Sequence, residues 1–314
     1  MASLLNGRLT NTPIAPQSES GEFVRASSNF HGQIPGTSAE PNRYHLYVSY
    51  ACPWAHRTLI VRNLKKLQDI ISVSVTDPYM GEKGWTLSDS KGVKYLAVLY
   101  IATEKDYTGK ITVPVLWDKK NKRIVNNESS EIIRIFNSSF NHLTNSDIDL
   151  YPISLRPEID QINQTIYENI NNGVYKTGFA SHQKAYEENF KKLFMTLEEV
   201  DTRLKRHPFL VGDKITEADI RLFTTLIRFD CVYYTHFKCN WRRITEYHNL
   251  YNYMKAIYQI PEVKETVHFD HIKEHYFKSH TWLNPQGIIP LGPEEDLESP
   301  HDRGKVDFYR SIDL

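Results

Sequence analysis

The chain has 314 residues, enough for two domains that each bury a core of their own. Its 38 Lys and Arg side chains balance 38 Asp and Glu side chains, so no net charge favours nucleic acid or an acidic membrane, and we expect neither partner. Three cysteines are too few for a disulfide framework, and no apolar run is long enough for a signal peptide or a membrane span, so we expect a cytoplasmic protein.

The first half of the sequence predicts an α/β domain behind an irregular arm. Residues 1–40 are polar, interrupted by prolines and without a sustained hydrophobic period, which indicates an arm that is either draped over a domain or partly disordered. Alternating apolar residues predict a strand over 43–50, the run 56–67 predicts a helix, and the β-branched run 70–75 predicts a second strand. This order favours two parallel strands joined by a right-handed crossover.

A second group of elements follows a polar, glycine-containing insert at residues 78–110. Residues 111–117 predict a strand that Pro114 interrupts, residues 124–125 a short strand, and residues 129–136 a helix. Together with the preceding β-α-β unit, this β-β-α order predicts a four-stranded sheet covered by helices.

From residue 157 onward the pattern is helical, with apolar residues repeating at spacings of three and four. We therefore predict an all-α second domain. Within it, Thr216 and Asp219 form a variant of the capping box, in which a threonine and an acid three residues later satisfy free N–H groups at a helix start. Because these groups meet locally, the pair indicates a folding role rather than chemistry.

Cys52 is the main candidate for chemistry, because it lies where the first predicted strand meets the first predicted helix. A helix start offers unpaired backbone N–H groups and the positive end of the helix dipole, and both favour the thiolate. A dithiol oxidoreductase has a resolving cysteine three positions later, but that position is Ala55, and Cys231 and Cys239 are remote in sequence. We predict monothiol chemistry in which an external thiol, glutathione above all, resolves a mixed disulfide; a buried, inert cysteine is the alternative.

The order of elements, the cysteine at the first helix start, the proline in the strand after the crossover and the helical second domain resemble the glutathione transferases. Within them the chain is similar to the glutathionyl-hydroquinone reductases, also called Xi-class transferases, which are related to the Omega class. The similarity spans residues 22–293 and is carried by residues 52–57 (CPWAHR), 84–89 (GWTLSD), 113–118 (VPVLWD), 127–134 (NESSEIIR), 175–180 (YKTGFA), 228–240 and 284–293.

This resemblance implies a fold class of α/β plus all-α, with an N-terminal thioredoxin-like domain and a C-terminal all-helical domain. The expected boundaries are an arm at 1–40, the glutathione-binding domain at 41–145, the helical domain at 146–293 and a charged tail at 294–314. The family also implies a homodimer.

The resemblance further implies which residues bind glutathione. The proline matching Pro114 is cis in the family, which leaves the backbone groups of Val113 open to the cysteinyl part of glutathione. Glu128 and Ser129 match a pair that holds the γ-glutamyl end, and Trp85 matches a tryptophan that covers the site. Without the resemblance, each residue has an ordinary structural explanation. Pro114 is then a proline of an edge strand, Glu128 and Ser129 are residues of a helix start, and Trp85 is an aromatic residue packed locally.

Two tyrosines join Cys52 as implied catalytic residues. Tyr175 and Tyr276 match tyrosines whose phenolic O–H groups bind or stabilise the quinol oxygen in the acceptor pocket, and Tyr233 is a third member of that pocket. The implied substrates are glutathionyl-hydroquinones, with glutathione as co-substrate. Two alternatives remain: an Omega-like thioltransferase or dehydroascorbate reductase that uses the same cysteine, and a non-catalytic binding module with the transferase fold.

Histidines are weaker candidates. His56 lies one helical turn after Cys52, where it either tunes the thiolate or faces solvent or a domain interface. The histidines at 268, 271, 275 and 280 lack an accompanying carboxylate or cysteine motif, so we expect no metal.

Overall fold

The computed structural model describes residues 2–10, 18–36, 39–88 and 93–303. By their contacts, these residues form two compact units. The first contains the described residues of Met1–Pro16, Arg25–Ser146 and Thr266–Ile289, and the second those of Gln17–Val24, Asp147–Glu265 and Pro290–Leu314.

The first unit is built on a four-stranded sheet. The strands described in this unit are β1 (Ser3–Leu5), β2 (Arg8–Thr10), β3 (Tyr44–Val48), β4 (Ser72–Val75), β5 (Gly109–Lys110), β6 (Val115–Asp118) and β7 (Arg123–Asn126). The sheet has the order β4-β3-β6-β7, with β3 parallel to β4 and antiparallel to β6. The predicted four-stranded sheet and its β-α-β beginning are confirmed.

Three helices accompany this sheet: α1 (Pro53–Leu64), α2 (Ala97–Thr103) and α3 (Ser129–Ser138). α1 begins with Pro53, which fits because the first turn of a helix leaves its N–H groups unbonded in any case. α1 packs against α3, whose Ile132 and Phe136 are fully buried, each contributing about 1.5–3 kcal/mol through removal of apolar surface from water.

The second unit is helical, and no strand occurs among its described residues. Its helices are α4 (Arg156–Ile166), α5 (Gly173–Gly178), α6 (Gln183–Leu204), α7 (Glu217–Arg228), α8 (Tyr234–His236), α9 (His248–Tyr258) and α10 (Pro261–Lys264). α7 is buried along its whole length and starts at the capping box of Thr216 and Asp219, as predicted. Two π-helical turns, Tyr167–Asn171 and Phe229–Tyr233, interrupt the regular helices.

The last helix, α11 (Phe269–Ser279), belongs by its contacts to the first unit, whereas the sequence placed it in the helical domain. Two hydrogen bonds account for this: His275 Nδ1 lies 2.9 Å from the carbonyl oxygen of Pro78, and the backbone N–H of Met80 donates to Ser279 Oγ at 2.9 Å. The described residues 18–24, predicted as part of the arm, group with the second unit.

Two segments contain regular structure that was not predicted. Residues 2–10 form the antiparallel hairpin β1–β2, and Leu4 is fully buried where β1 also pairs with β5. The insert at 78–110 contains α2, which buries Leu99 and Tyr100. No helix in the described ranges combines the length and the apolar character that a membrane span needs.

Candidate active site

Cys52 lies at the N-cap position of α1, with extended backbone angles of φ −77° and ψ 120°. Its carbonyl oxygen accepts the hydrogen bond from the His56 N–H at 2.9 Å that begins the helix. The thiol is half-buried, and Sγ lies 3.6 Å from the carbonyl oxygen of Val113, to which it donates. The predicted junction of strand and helix therefore places the sulfur at a helix start, in contact with the segment that leads into β6.

The Val113–Pro114 peptide bond is cis, as the resemblance implied. Pro114 directly precedes β6, which pairs with β3, so the Val113 carbonyl lies beside the end of the strand that leads to Cys52. Within the described part of the chain, the Val113 N–H donates no hydrogen bond. This N–H is a donor that a bound peptide-like ligand can use.

Glu128 and Ser129 lie together at the start of α3. Glu128 is the N-cap residue, and its Oε1 accepts hydrogen bonds from the backbone N–H and the hydroxyl of Ser130, at 3.1 and 3.0 Å. Ser129 is buried, and its hydroxyl oxygen accepts a hydrogen bond from Arg57 Nη1 at 3.4 Å. Because α1 carries both Cys52 and Arg57, this contact connects the cysteine's helix to the start of α3.

The charge of Glu128 is well stabilised. Burial on its own raises the pKa of the Glu128 carboxyl, but hydrogen bonds from Ser130 and Ser28 and the charge of Arg57 outweigh it, so the pKa lies below its usual value. The carboxylate is therefore ionised at neutral pH, and an ionised carboxylate suits an ammonium group.

Positive charge lies close to the same helix starts. The guanidinium groups of Arg25 and Arg57 lie 4.7 and 4.5 Å from the ring centroid of Trp54, which follows Cys52 by two residues. Each arrangement is a cation–π contact. Two guanidinium groups and the N-terminus of α3 together suit a carboxylate, so this region offers groups for both charges of an amino-acid end.

Trp85 and Tyr276 both lie in the first unit and are buried. Trp85 stacks on His275 of α11, with ring centroids 4.8 Å apart and an interplanar angle of 24°. Tyr276 follows on the same helix, and its ring contacts those of His275 and His280 edge to face. We did not predict a role for His275 in the site, because it is so far from Trp85 in sequence that no local pattern connects the two residues.

Tyr175 and Tyr233 lie in the second unit, where the structure brings them together with their ring centroids 6.0 Å apart. Both also contact the ring of Phe237, at 5.3 Å each. Tyr233 is fully buried, whereas Tyr175 keeps 8% of its surface accessible. A π-helical turn contains Tyr233 and another precedes α5, which carries Tyr175; such turns are frequent at functional sites and were invisible to a 3.6-residue period.

The remaining candidates have structural partners. His56 is fully buried, and its Nε2 lies 2.8 Å from Thr266 Oγ1, so it does not face solvent. Cys231 and Cys239 are buried free thiols, and burial raises the pKa of Cys239 far above its usual value, which makes it unreactive. In the described ranges no group of three or more His, Cys, Asp or Glu side chains is arranged to hold a metal ion.

One residue of the N-terminal arm contacts the candidate site and was not predicted. Ser28 Oγ donates a hydrogen bond to Glu128 Oε2 at 3.0 Å, across 100 positions of sequence. As a whole, the first unit holds a cysteine at a helix start and, at a second helix start, groups for an ammonium and a carboxylate. This arrangement can bind an amino-acid-like thiol compound and exchange a thiol with it.

The chain matches known proteins over most of its length. Residues 51–139 match the family described as Glutathione S-transferase, N-terminal domain, and residues 183–256 match Glutathione S-transferase, C-terminal domain. Glutathionyl-hydroquinone reductase YqjG of Escherichia coli (strain K12) is 50% identical over 323 residues, which cover 96% of this chain and 98% of YqjG. Glutathionyl-hydroquinone reductase PcpF of Sphingobium chlorophenolicum is 49% identical, with 95% and 98% covered.

Solved structures agree with these matches. The glutathione-bound structure of YqjG is similar with a TM-score of 0.85 and 50% identity over 87% of this chain and 96% of that one. The glutathione S-transferase Xi of Phanerochaete chrysosporium gives a TM-score of 0.86 and 49% identity over 88% and 95%. These similarities confirm the predicted thioredoxin-like and all-helical fold class. The chain therefore belongs to the Xi class of glutathione transferases, the family of the glutathionyl-hydroquinone reductases.

Proposed function

We propose that this chain is a glutathionyl-hydroquinone reductase, which removes glutathione from a glutathionyl-hydroquinone and releases the hydroquinone. The observation that carries the proposal is Cys52 at the start of α1, with Sγ 3.6 Å from the carbonyl that precedes cis-Pro114, in a chain 50% identical to YqjG. The position three residues after Cys52, where a dithiol enzyme has its resolving cysteine, holds Ala55. The thiol that completes the cycle therefore comes from a separate molecule.

The proposed reaction has two steps, and in each a thiolate attacks a sulfur atom. The Cys52 thiolate attacks the sulfur of the conjugate, the bond between that sulfur and the ring carbon breaks, and the ring carbon takes up a proton to give the hydroquinone. A disulfide between Cys52 and glutathione remains. The thiolate of a second glutathione then attacks this disulfide, releasing oxidised glutathione and the Cys52 thiolate. The ring is reduced, two glutathione sulfurs are oxidised, and no metal takes part.

The binding roles follow the polar groups of the first unit. We propose that the Glu128 carboxylate binds the γ-glutamyl ammonium, that Ser129 at the start of α3 binds its carboxylate, and that the backbone of Val113 before Pro114 pairs with the cysteinyl part. Trp85 covers the bound glutathione. The low pKa of Glu128 supports this assignment, because its charge is present at neutral pH.

The acceptor roles are assigned to phenols. We propose, from the family resemblance, that Tyr276 and Tyr175 each act as a phenolic hydrogen-bond donor to a quinol oxygen as the ring leaves, and that Tyr233 supports Tyr175 through their ring contact. Donors aimed at a developing negative charge contribute strongly in a site shielded from water.

The mechanism is tested by intact-protein mass spectrometry after incubation with a glutathionyl-hydroquinone, with hydroquinone release followed by chromatography. We expect one glutathione adduct and release of hydroquinone from the wild type, and neither from Cys52→Ser. Cys231→Ala is the matched control, because it removes a different buried thiol and is expected to behave like the wild type. Turnover that persists in Cys52→Ser contradicts the mechanism.

A comparison of substrates separates the proposed activity from a thioltransferase or dehydroascorbate reductase activity and from a binding role. The same enzyme preparation is assayed with a glutathionyl-hydroquinone, a small mixed disulfide of glutathione, and dehydroascorbate. The proposed function predicts the highest kcat/KM for the hydroquinone conjugate. A preference for either of the other two assigns a thioltransferase or dehydroascorbate reductase activity, and inactivity with all three assigns a binding role.

We also propose that the protein is a cytoplasmic homodimer. Its free cysteines suit a reducing compartment, and the segment at 284–293 exposes apolar side chains, Ile288 at 69% and Leu291 at 97%. Light scattering at micromolar concentration measures the mass directly. A monomer mass overturns the dimer.

A further inference from the structure

Five residues form a closed ring of hydrogen bonds, through side chains and backbone, that connects the N-terminal arm to the start of α3. Asn126 Nδ2 donates to Glu131 Oε2 at 2.7 Å, and Glu131 Oε1 lies 2.9 Å from His31 Nδ1. His31 Nε2 lies 2.9 Å from the carbonyl oxygen of Ser28, whose hydroxyl donates to Glu128 Oε2 at 3.0 Å. The ring closes where the Glu128 N–H donates to Asn126 Oδ1 at 2.7 Å.

The partners of His31 fix its protonation state. A backbone carbonyl oxygen and a carboxylate oxygen only accept hydrogen bonds, so both ring nitrogens of His31 must donate in this geometry. A neutral imidazole carries one N–H, whereas the imidazolium ion carries two. The ring of hydrogen bonds is therefore complete only when His31 is protonated.

The hydrogen bond from Ser28 reaches the group that the proposed function assigns to glutathione. Glu128 Oε1 is already occupied by Ser130, and Oε2 accepts one hydrogen bond among the described residues, from Ser28. The Ser28 hydroxyl has one proton and two acceptors within range, Glu128 Oε2 at 3.0 Å and the Asn127 carbonyl oxygen at 3.3 Å. Because the carboxylate oxygen is both nearer and charged, the hydroxyl donates to it and orients its remaining acceptor position. The carbonyl of the same residue is held by His31, so protonation of His31 and placement of the hydroxyl are coupled.

We propose that Ser28 and His31 are positioning residues for glutathione: protonated His31 holds Ser28, and Ser28 orients the Glu128 carboxylate that binds the γ-glutamyl ammonium. This inference rests on the proposed function. Neither residue touches the reacting atoms, so both act on glutathione affinity and KM and leave the maximal rate with saturating glutathione unchanged.

The arm has other attachments that do not depend on His31. The Phe30 N–H donates to Asn127 Oδ1 at 3.0 Å, the Asn127 N–H donates to the carbonyl of Phe30 at 3.1 Å, and the Gly32 N–H donates to the carbonyl of Val125 at 2.8 Å. The Phe30 ring also stacks on Tyr107 with centroids 5.5 Å apart. Loss of the His31 bonds therefore leaves the arm docked and changes only the placement of Ser28.

The pH dependence has a defined sign. The charged groups that face His31 in the described structure are Glu131 and Glu128, both acidic, and the bond to Glu131 followed by the bond to the Ser28 carbonyl raises the pKa of His31 above its usual 6.5. A histidine with a raised pKa contributes its full effect below the usual value and loses it as the pH rises through the raised value. Glutathione affinity is therefore expected to fall as the pH rises through the raised pKa of His31.

The test measures the Kd for reduced glutathione by titration calorimetry between about pH 5.5 and about pH 8.5, in a Cys52→Ser parent that cannot form the disulfide. We expect the affinity of the parent to fall by about 3- to 10-fold as the pH rises, the range of one lost hydrogen bond. His31→Arg keeps a permanent charge with several donors, so its affinity is expected to stay high and to lose this fall.

Three further variants complete the design. His31→Ala and Ser28→Ala are expected to bind about 3- to 10-fold more weakly at low pH, with no further loss from a histidine as the pH rises. His248→Ala is the control, because His248 also pairs with a carboxylate at 2.9 Å, that of Asp302, on a more exposed surface of the second unit. Titration of glutathione itself is common to every protein and is subtracted.

The outcomes separate this inference from the proposed function. If the parent binds glutathione and the His31 variants retain its pH dependence and affinity, the positioning role is overturned and the proposed function stands. If the parent binds no glutathione at any pH, both are overturned. In the Cys52 wild-type background, a fall in kcat with saturating glutathione in Ser28→Ala also overturns the positioning role, because that role predicts a change in KM alone.

Discussion

Helices α7 and α3 each begin beside a buried or half-buried acidic side chain, and the two acids differ in how fully their oxygens are hydrogen-bonded. Asp219, at the start of α7, is fully buried, and both of its carboxylate oxygens accept hydrogen bonds from residues of the second unit. Its Oδ1 accepts from the Leu210 N–H and the Tyr253 hydroxyl at 2.9 and 2.8 Å, and its Oδ2 accepts from the N–H and hydroxyl of Thr216 at 2.8 and 3.0 Å.

Glu128, at the start of α3, is half-buried and only partly occupied. Oε1 is held by Ser130, while Oε2 accepts from Ser28 alone among the described residues. A carboxylate oxygen has room for about two hydrogen bonds, so Oε2 can accept another. An acid at a helix start therefore stabilises the fold when its acceptor positions are full, and is a candidate for ligand binding when one of them is open.

The largest expected effect is a loss of stability on replacing Asp219, whose two carboxylate oxygens are both fully hydrogen-bonded. Asp219→Ala leaves several buried donors without an acceptor, so we expect the free energy of unfolding of the second unit to fall by about 3 to 5 kcal/mol. Urea unfolding followed by circular dichroism measures it. Asp213→Ala, an exposed acid of the same unit, is the control and is expected to change stability by less than about 0.5 kcal/mol. If Asp219→Ala lowers the free energy of unfolding no more than the control does, Asp219 does not stabilise the second unit as proposed.

The next largest expected effect is on glutathione binding, on replacing Glu128, whose Oε2 can accept another hydrogen bond. Glu128→Gln keeps a carbonyl oxygen for Ser130 but removes the charge, so we expect the Kd for glutathione to rise about 10- to 100-fold with a nearly unchanged urea midpoint. Calorimetric titration measures the Kd, and the exposed Glu199→Gln serves as the control. A large loss of stability with an unchanged Kd makes Glu128 a second fold element and removes the distinction.

The smallest effects come from the hydroxyls that serve each acid. Thr216→Ala is expected to cost about 1 to 2 kcal/mol of stability, since it removes an N-cap side chain as well as a donor to Asp219. Ser130→Ala leaves the backbone N–H of the same residue on Glu128, so less than about 1 kcal/mol is expected, with a Kd change below about threefold. Equal costs at the two helices contradict the argument.

Locality decides which of these features the sequence predicts. Thr216 and Asp219 are three positions apart, and strand β3, helix α1 and strand β4 follow one another, so their patterns are complete within short windows. The hairpin β1–β2 is missed because its strands have three residues each and β1 pairs with β5 more than 100 positions away. Tertiary pairing of this kind overrides a weak local pattern.

The candidate site divides in the same way. Cys52 at a helix start follows from local pattern and chemistry, whereas the cis bond at Pro114 and the roles of Glu128 and Ser129 were implied by the family resemblance alone. Ser28 and His31 carry no local signal, because their partners at 128 and 131 are about 100 positions away. The stacking of Trp85 on His275 is likewise a product of the fold.

The position of β3 in the sheet has a practical consequence for anyone who cuts this protein into fragments. The match to the N-terminal transferase family begins at residue 51, three residues after β3 ends at Val48. A fragment trimmed to that boundary lacks the strand that joins β4 to β6, and two exposed strand edges replace one continuous sheet. A fragment that keeps the sheet continuous therefore has to start ahead of Tyr44, upstream of the segment that matches the family.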